Sequence, residues 1–281
     1  MRYAFVSDFH GNLEAFDAVL EDIDMQNVDS IFSLGDIVGY GANSKECVGR
    51  IREREIQGVM GNHEWALLGH NNGISPNTDA WKAMEMIRPT MDSDDFEFLG
   101  GLPFVLREEN ILMAHANIVR PESFEYLLLP PNAQPSYKSY LIEENFDFLK
   151  EEEKLFVGHT HIPFKLAYVK RFLTGSFAPV EELLKGKTEK GNGGVCRFIK
   201  EFLKREFGPV EGGIGEYKVI CNVGSVGRPR DGDSRACYAI YDNTSGKIDI
   251  RRVEYDVERA ARKIRDAGLP EELAERLFSG R

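Results

Sequence analysis

Short apolar runs alternate with amphipathic segments along the first part of the chain. Residues 3–6 are apolar throughout and predict a buried strand. Asn12 is a favourable N-cap, and behind it apolar residues recur every three or four positions, as on one face of a helix. That face consists of Leu13, Phe16, Val19, Leu20 and Ile23. The first predicted unit is therefore a strand followed by a helix that packs against it.

The same alternation continues before the pattern turns mainly to strands. Strands are predicted at residues 31–34 and 56–60, and helices around 47–51 and within 64–101. The later predicted strands are 104–106 and 111–114, which form a hairpin, and 155–157, 164–169, 219–222, 236–241 and 248–253. Two groups of strands with helices outside them indicate two packed sheets flanked by helices.

One connection is much longer than the others. Residues 170–216 separate two predicted strands, whereas connections in compact domains usually have about 4–6 residues. An amphipathic stripe in this segment, which includes Phe198 and Phe202, predicts either a helix packed on the body or a lid or partner surface. We interpret residues 1–281 as a single domain with an insertion at 170–216. A helical pair at 256–281 is expected to pack on that domain.

Composition and charge narrow the range of partners. With 42% hydrophobic and 29% charged residues, the chain is neither collagenous nor mostly disordered. Its 35 basic and 46 acidic residues give a net charge of −11, which makes a nucleic acid polymer or an anionic membrane an unlikely partner. No Cys-x-x-Cys pair, signal segment or apolar run of about 20 residues is evident, so we expect a cytoplasmic protein. An oligomer is compatible with these features.

All but one of the six histidines follow closely after predicted strands. Carboxylate and amide side chains share these positions. The set comprises Asp8, His10, Asp36, Asn62, His63, His115, His159 and His161. Strand ends provide rigid positions for such groups, and alternate residues of an extended segment place two side chains on the same side. The pattern therefore predicts one site assembled from several strand ends.

Oxygen and imidazole donors in this mixture indicate a particular kind of metal site. They suit a pair of borderline divalent ions such as Mn, Fe, Zn or Ni rather than Ca or a thiolate zinc site. Two such ions at about 3.5–4 Å need a bridging carboxylate and can share a bridging hydroxide. The sequence thus predicts a binuclear metal centre.

The order of these motifs resembles that of the calcineurin-like metallophosphoesterase family. The matching segments are Asp8-x-His10, Gly35-Asp36, Gly61-Asn62-His63-Glu64, His115 and Gly158-His159-Thr160-His161. The loop at residues 222–232 and the C-terminal helices are similar to the bacterial and archaeal small phosphodiesterase branch. The resemblance implies an α+β fold, a four-layer α/β/β/α sandwich of two mixed β-sheets flanked by helices.

The family resemblance also implies how the ligands are divided. One ion would be held by Asp8, His10, Asp36 and His161, and the other by Asp36, Asn62, His115 and His159. Asp36 would then be the bridge between them. This arrangement implies a metal-dependent phosphoric ester hydrolase, acting as a phosphodiesterase or a phosphatase on a small phosphorylated substrate.

The expected mechanism is in-line attack by a metal-bridging hydroxide. His63 is the candidate general acid for the leaving oxygen, or a donor to the charge of the transition state. Asn12, Arg228 and Arg230 are candidates for binding the substrate phosphate, although Asn12 is first of all a helix cap. The segment after Asp36 lacks the Arg of protein serine/threonine phosphatases, which disfavours that branch.

Two other functions compete with this interpretation. A non-catalytic metal-binding scaffold would keep the sandwich without the chemistry. A nuclease would need a basic groove for its polyanionic substrate, which the net charge of −11 disfavours and the basic residues of the insertion leave open.

Overall fold

The computed structural model describes residues 1–70, 73–127, 139–169 and 217–281. The predicted insertion 170–216, including its amphipathic stripe, lies outside this part of the chain. Among the helices of the described ranges, none is long and apolar enough to cross a membrane.

The described strands form two sheets. In chain order they are β1 (Arg2–Val6), β2 (Ser30–Ser33), β3 (Gln57–Gly58), β4 (Val105–Glu108), β5 (Ile111–Ala114), β6 (Lys154–Val157), β7 (Phe164–Val169), β8 (Tyr217–Asn222), β9 (Ala236–Asp242) and β10 (Lys247–Val253). The first sheet has the order β10-β9-β1-β2-β3, and the second has the order β4-β5-β6-β8-β7. Both sheets mix parallel and antiparallel pairs, and β4 and β5 form the predicted hairpin.

The two sheets pack face to face through large apolar side chains. Phe5 of β1 stacks on Phe156 of β6 with ring centroids 3.8 Å apart, and both side chains are fully buried. Tyr3 also points into this layer, whereas Ala4 and Val6 point to the opposite face of the sheet. This alternation arises because successive side chains of a strand point to opposite faces.

Helices cover the outer faces of both sheets. They are α1 (Leu13–Asp24), α2 (Ser44–Glu53), α3 (Asn62–Leu67), α4 (Asp79–Ile87), α5 (Ser93–Gly100), α6 (Ser139–Phe148), α7 (Val257–Asp266) and α8 (Glu271–Ser279). The core on the first sheet includes Phe16 of α1 and Ala261 of α7, and the core on the second includes Phe146 of α6. The predicted α/β/β/α sandwich of two mixed sheets is confirmed.

Two elements differ in extent from their predictions. The strand expected at 56–60 is only Gln57–Gly58, because the chain then leaves the sheet and the Met60 N–H donates to the Pro103 carbonyl. The helical region is divided into α3, α4 and α5, with a short 3-10 turn at Arg88–Thr90 between the last two. The first of these helices, α3, begins at Asn62, soon after the shortened strand ends at Gly58.

Candidate metal centre

The loops that follow β1, β2 and β6 bring four donor residues together. We call Asp8, His10, Asp36 and His161 the first ligand group; one donor atom from each lies within 4.8 Å of all the others. His10 Nε2 is 3.1 Å from His161 Nε2, and His161 Nε2 is 3.2 Å from Asp8 Oδ1. All four residues are buried.

A second ligand group adjoins the first and shares Asp36 with it. It consists of Asp36, His115 and His159, with the Asn62 amide beside them. His115 Nε2 is 3.3 Å from Asp36 Oδ2, 3.0 Å from His159 Nδ1 and 3.0 Å from Asn62 Oδ1. The structure therefore brings together all seven metal ligands that the sequence predicts, in two groups that meet at Asp36.

Backbone carbonyls orient three of the histidine rings. The Nδ1 atoms of His10, His115 and His161 lie 3.2, 2.7 and 2.5 Å from the carbonyl oxygens of Val38, Leu34 and Arg228. When Nδ1 carries the proton and donates it to the carbonyl, Nε2 presents its lone pair to the centre of the group. The second nitrogen of each ring is thus held in a form that can bind a cation.

The electrostatics of the groups fit a divalent cation. Burial lowers the pKa of His10, His159 and His161, which keeps these rings neutral, the form that binds metal. Burial also acts on His115, but Asp36 outweighs it and raises the pKa of His115 to about 9. Only the neutral ring is a metal ligand, so a divalent ion bound here would displace that proton from His115.

Most of the candidate ligands have an unusual backbone conformation. The φ angles of Asp8, His10, Asp36, His159 and His161 are 55°, 49°, 56°, 68° and 59°. This left-handed region costs a non-glycine residue roughly 1–2 kcal/mol. The strand ends turn sharply here, and such strain is concentrated at functional sites.

The His63 ring lies next to Asp36, and one of its nitrogens makes no hydrogen bond to the described residues. Its Nε2 is 4.0 Å from Asp36 Oδ2, and its Nδ1 has no hydrogen-bond partner in the described part of the chain. Gly39, with φ at +101°, leaves the space for this ring, since a Cβ there would lie 2.0 Å from Nδ1. Burial lowers the pKa of His63 to about 4.

Glu64 is a site residue to which the sequence assigns no catalytic role. Its buried carboxylate accepts hydrogen bonds from the backbone N–H groups of Gly61, Asp36, Ile37 and Val38, at 2.7–3.1 Å. Burial and the charge of Asp36 raise the pKa of Glu64 to about 7, and these N–H donors oppose the rise. The carboxylate thereby fixes the loop that carries Asp36.

Tyr40 is a site residue that the sequence does not predict. Its ring contacts the His10 and His63 rings, with centroid distances of 4.6 and 4.8 Å. The Arg228 guanidinium lies 4.0 Å from the Tyr40 ring centroid, and Arg230 Nη2 is 3.4 Å from its hydroxyl. The only available signal was its position in the loop behind Asp36.

The three predicted substrate contacts differ in their surroundings. Asn12 caps α1 by accepting from the Ala15 N–H, and its amide donates to the Gly227 carbonyl, so both ends of this side chain are engaged. Arg228 and Arg230 lie beside Tyr40 at the edge of the first ligand group, joined to it through the His161–Arg228 hydrogen bond. The Asn12 side chain is thus committed to hydrogen bonds within the protein, whereas the two arginines line a neighbouring cavity.

Sequence comparisons with known proteins together cover almost the whole chain. A sequence model of the calcineurin-like phosphoesterase family matches residues 1–185. An uncharacterised protein of Methanocaldococcus jannaschii is 36% identical over 282 residues, 99% of this chain and 98% of the relative. The symmetrical bis(5'-nucleosyl)-tetraphosphatase of Neisseria meningitidis is 29% identical over 130 residues, 42% of this chain and 44% of the relative.

Solved structures agree with these matches. A metallophosphoesterase from Sphaerobacter thermophilus superposes with a TM-score of 0.72 at 30% identity, covering 100% of this chain and 99% of the other. A hypothetical protein from Pyrococcus horikoshii has a TM-score of 0.70 at 18% identity, covering 100% and 98%, and shows the fold alone. The motifs, the fold and the extent of the sequence matches agree: the chain belongs to the calcineurin-like phosphoesterase family.

Proposed function

We propose that this chain is a metal-dependent hydrolase of phosphoric esters with a binuclear centre. The observation that carries the proposal is the sharing of Asp36 between two buried ligand groups. Asp8, His10, Asp36 and His161 would hold one divalent ion. The second would be held by Asp36, Asn62, His115 and His159, with Mn, Fe, Zn or Ni as the ions that this donor set suits.

The chain's own residues prepare the site for phosphoryl transfer. When bound, divalent ions act there as Lewis acids toward phosphoryl oxygens and lower the pKa of water. His63 lies beside Asp36 at the same site. With a pKa of about 4 its ring is neutral near pH 7, so its N–H donates a hydrogen bond to the leaving oxygen or to the charge of the transition state. Arg228 and Arg230 bind the phosphate from the side of Tyr40.

Small phosphorylated molecules are the substrate class that we infer. The site is recessed, since its ligand residues are all buried, and the chain carries a net charge of −11, which repels long polyanions. The Neisseria meningitidis relative is named for the hydrolysis of a small dinucleoside tetraphosphate. A phosphodiesterase or phosphatase activity on compounds of this size follows.

Metal content and turnover of the full-length chain test the proposal. After exposure to Mn, we expect close to two ions per chain and hydrolysis of bis(p-nitrophenyl) phosphate. The Asp36→Asn variant loses the shared ligand charge and should hold fewer than about one ion. His63→Gln should keep its metal while kcat falls by about 10²–10³-fold, the usual cost of losing one hydrogen-bond donor to the transition state.

His70→Gln is the matched control, because His70 is exposed and stacks on Trp65 away from the ligand groups. It should stay within about twofold of the parent rate. Undiminished turnover in His63→Gln would remove His63 from the mechanism. Absence of turnover in the metal-loaded parent chain would favour the non-catalytic scaffold, and strong salt-sensitive DNA binding would favour the nuclease.

A further inference from the structure

An arginine-lined cavity lies beside the first ligand group. It has a volume of about 540 Å³. The charged and aromatic residues of its wall are Tyr40, Asp79, Arg228, Arg230, Arg276 and Arg281. Asp79 is the one acidic side chain among these described residues, and it already pairs with Lys82 at 3.2 Å. The wall is therefore strongly positive in a chain whose net charge is −11.

The deepest of these arginines has no anionic partner among the residues that the structure describes. Arg228 is 4% exposed, and its Nε has no hydrogen-bond partner within the described ranges. No ion pair joins Arg228, Arg230 or Arg276 to a described carboxylate. Burial lowers the pKa of Arg228 to about 10. Burying an unpaired charge is costly, and a bound anion removes that cost.

The cavity and the first ligand group share a wall. Tyr40 lines the cavity, and its ring is 4.6 Å from the His10 ring. His161 Nδ1 donates to the Arg228 carbonyl at 2.5 Å, and the Arg230 N–H donates to the His161 carbonyl at 3.2 Å. A molecule bound at the ligand groups could therefore extend directly between the arginines.

The arginines run from the interior to the surface. Arg228 is buried, Arg230 is half-buried, and Arg276 of α8 is exposed at the rim. Guanidinium groups bind phosphate with paired N–H donors, and a row of them suits successive phosphates better than a single one. The C-terminal helix thus contributes to a surface that the metal-ligand motifs do not include.

We propose that this cavity binds a second phosphate group, so that the preferred substrate carries at least two phosphates joined in a chain. The inference rests on the proposed function, because the first phosphate is the one at the ligand groups. The ligand class is a di- or polyphosphate, with or without nucleosides at its ends. Arg276 is the specificity residue that separates this proposal from simple phosphate binding.

Two measurements on the full-length chain test it. The first compares kcat/KM with Mn for diadenosine tetraphosphate and for bis(p-nitrophenyl) phosphate. In Arg276→Gln the ratio of the two values should fall about tenfold, the effect of losing one charge-assisted contact, and Arg276→Lys should restore part of it. The second titrates inorganic tripolyphosphate calorimetrically without added metal, and Arg276→Gln should weaken its binding at least about fivefold.

Arg262→Gln is the control, because Arg262 is an exposed arginine of α7 that does not line the cavity. It should change neither measurement. An unchanged ratio together with unchanged tripolyphosphate binding in Arg276→Gln overturns the inference, as does a parent chain that binds no tripolyphosphate. If neither ester is hydrolysed, the proposed function fails, while the titration still decides whether the cavity binds phosphate chains.

Discussion

At the scale of single residues, Glu64 determines the shape of the site without being a ligand. Its two carboxylate oxygens accept four backbone N–H groups, three of them from the loop that carries Asp36. A carboxylate is an acceptor at both oxygens, whereas an amide has only one acceptor. The position of Asp36 therefore depends on the presence of a carboxylate at position 64.

Replacing Glu64 with Gln should destabilise the fold and weaken metal binding. The amide NH₂ would face backbone N–H donors, and each unsatisfied buried donor costs about 1–3 kcal/mol. We expect a loss of about 2–4 kcal/mol in urea unfolding, and weaker Mn binding because Asp36 is less well positioned. Glu85→Gln, at an exposed position of α4, is the control. Equal stability of the two variants would contradict the role assigned to Glu64.

The sequence predicts the donor residues but not their supporting contacts. Asp8, Asp36 and His159 could be identified because each follows a strand closely, so that local pattern implies spatial convergence. Glu64 and Tyr40 follow no such rule. Their partners lie in other loops, and only the tertiary arrangement brings the Glu64 oxygens to the Asp36 backbone or the Tyr40 ring to Arg228.

At the scale of elements, Asp22 ties α1 to the first sheet. Its carboxylate accepts from Nε and Nη2 of Arg251 in β10 at 2.8 and 2.9 Å, and from the Tyr238 hydroxyl of β9 at 2.5 Å. Hydrogen bonds from Arg251 lower the pKa of Asp22, against burial, which raises it. Because the pKa of Asp22 is lower in the folded chain than its unfolded-state value of about 3.9, the contact stabilises the fold at pH values above that value. This contribution is lost as the pH falls through the folded-state pKa.

Asp22→Asn should therefore reduce stability most at neutral pH. At pH 6 we expect a loss of about 1–3 kcal/mol in the free energy of unfolding, and a smaller difference from the parent chain at pH 3. Urea unfolding at both values measures this. Asp266→Asn, at an exposed position of α7, should leave the pH profile as it is. A loss of equal size at both pH values would exclude a charge-based tie.

Element types follow from sequence periodicity, whereas element ends do not. The run at 56–60 reads as a strand because it is apolar, yet only Gln57–Gly58 pairs with β2. Val59 and Met60 remain buried; the Val59 N–H still donates to the Ser33 carbonyl of β2, whereas the Met60 N–H donates to the Pro103 carbonyl. Burial explains why residues 56–60 are mainly apolar. The pairing with β2 ends where the Met60 N–H bonds to the Pro103 carbonyl.

At the scale of the whole molecule, the ligand groups connect the two sheets. Asp8 and Asp36 follow strands of the first sheet, whereas His115 and His159 follow strands of the second. A cation held by residues of both sheets would resist their separation. The net charge of −11 belongs to the chain as a whole, whereas the cavity beside the first ligand group is lined by four arginines and one aspartate.

Removing metal should accordingly lower the melting temperature. A ligand at 100 times its Kd stabilises the folded state by about 2.7 kcal/mol, which for a chain of this size corresponds to roughly 5–10 °C. Differential scanning calorimetry of Mn-loaded and chelator-treated chain measures the shift. Asp36→Asn should show much less of it, and identical melting of the two parent samples would mean that no ion bridges the sheets.

The left-handed backbone of the candidate ligands implies which substitutions to expect in a family member that loses its metal site. A lineage that abandoned metal chemistry would gain stability by placing glycine at positions 10, 159 or 161, since glycine adopts this conformation without penalty. At positions 8 and 36 the carboxylates also accept the buried N–H groups of His159 and His63, which glycine would leave unpaired. This chain carries aspartate or histidine at all five of these left-handed positions. Family members that have lost metal chemistry should therefore carry glycine at such turns. They should also melt at a higher temperature than catalytically active relatives.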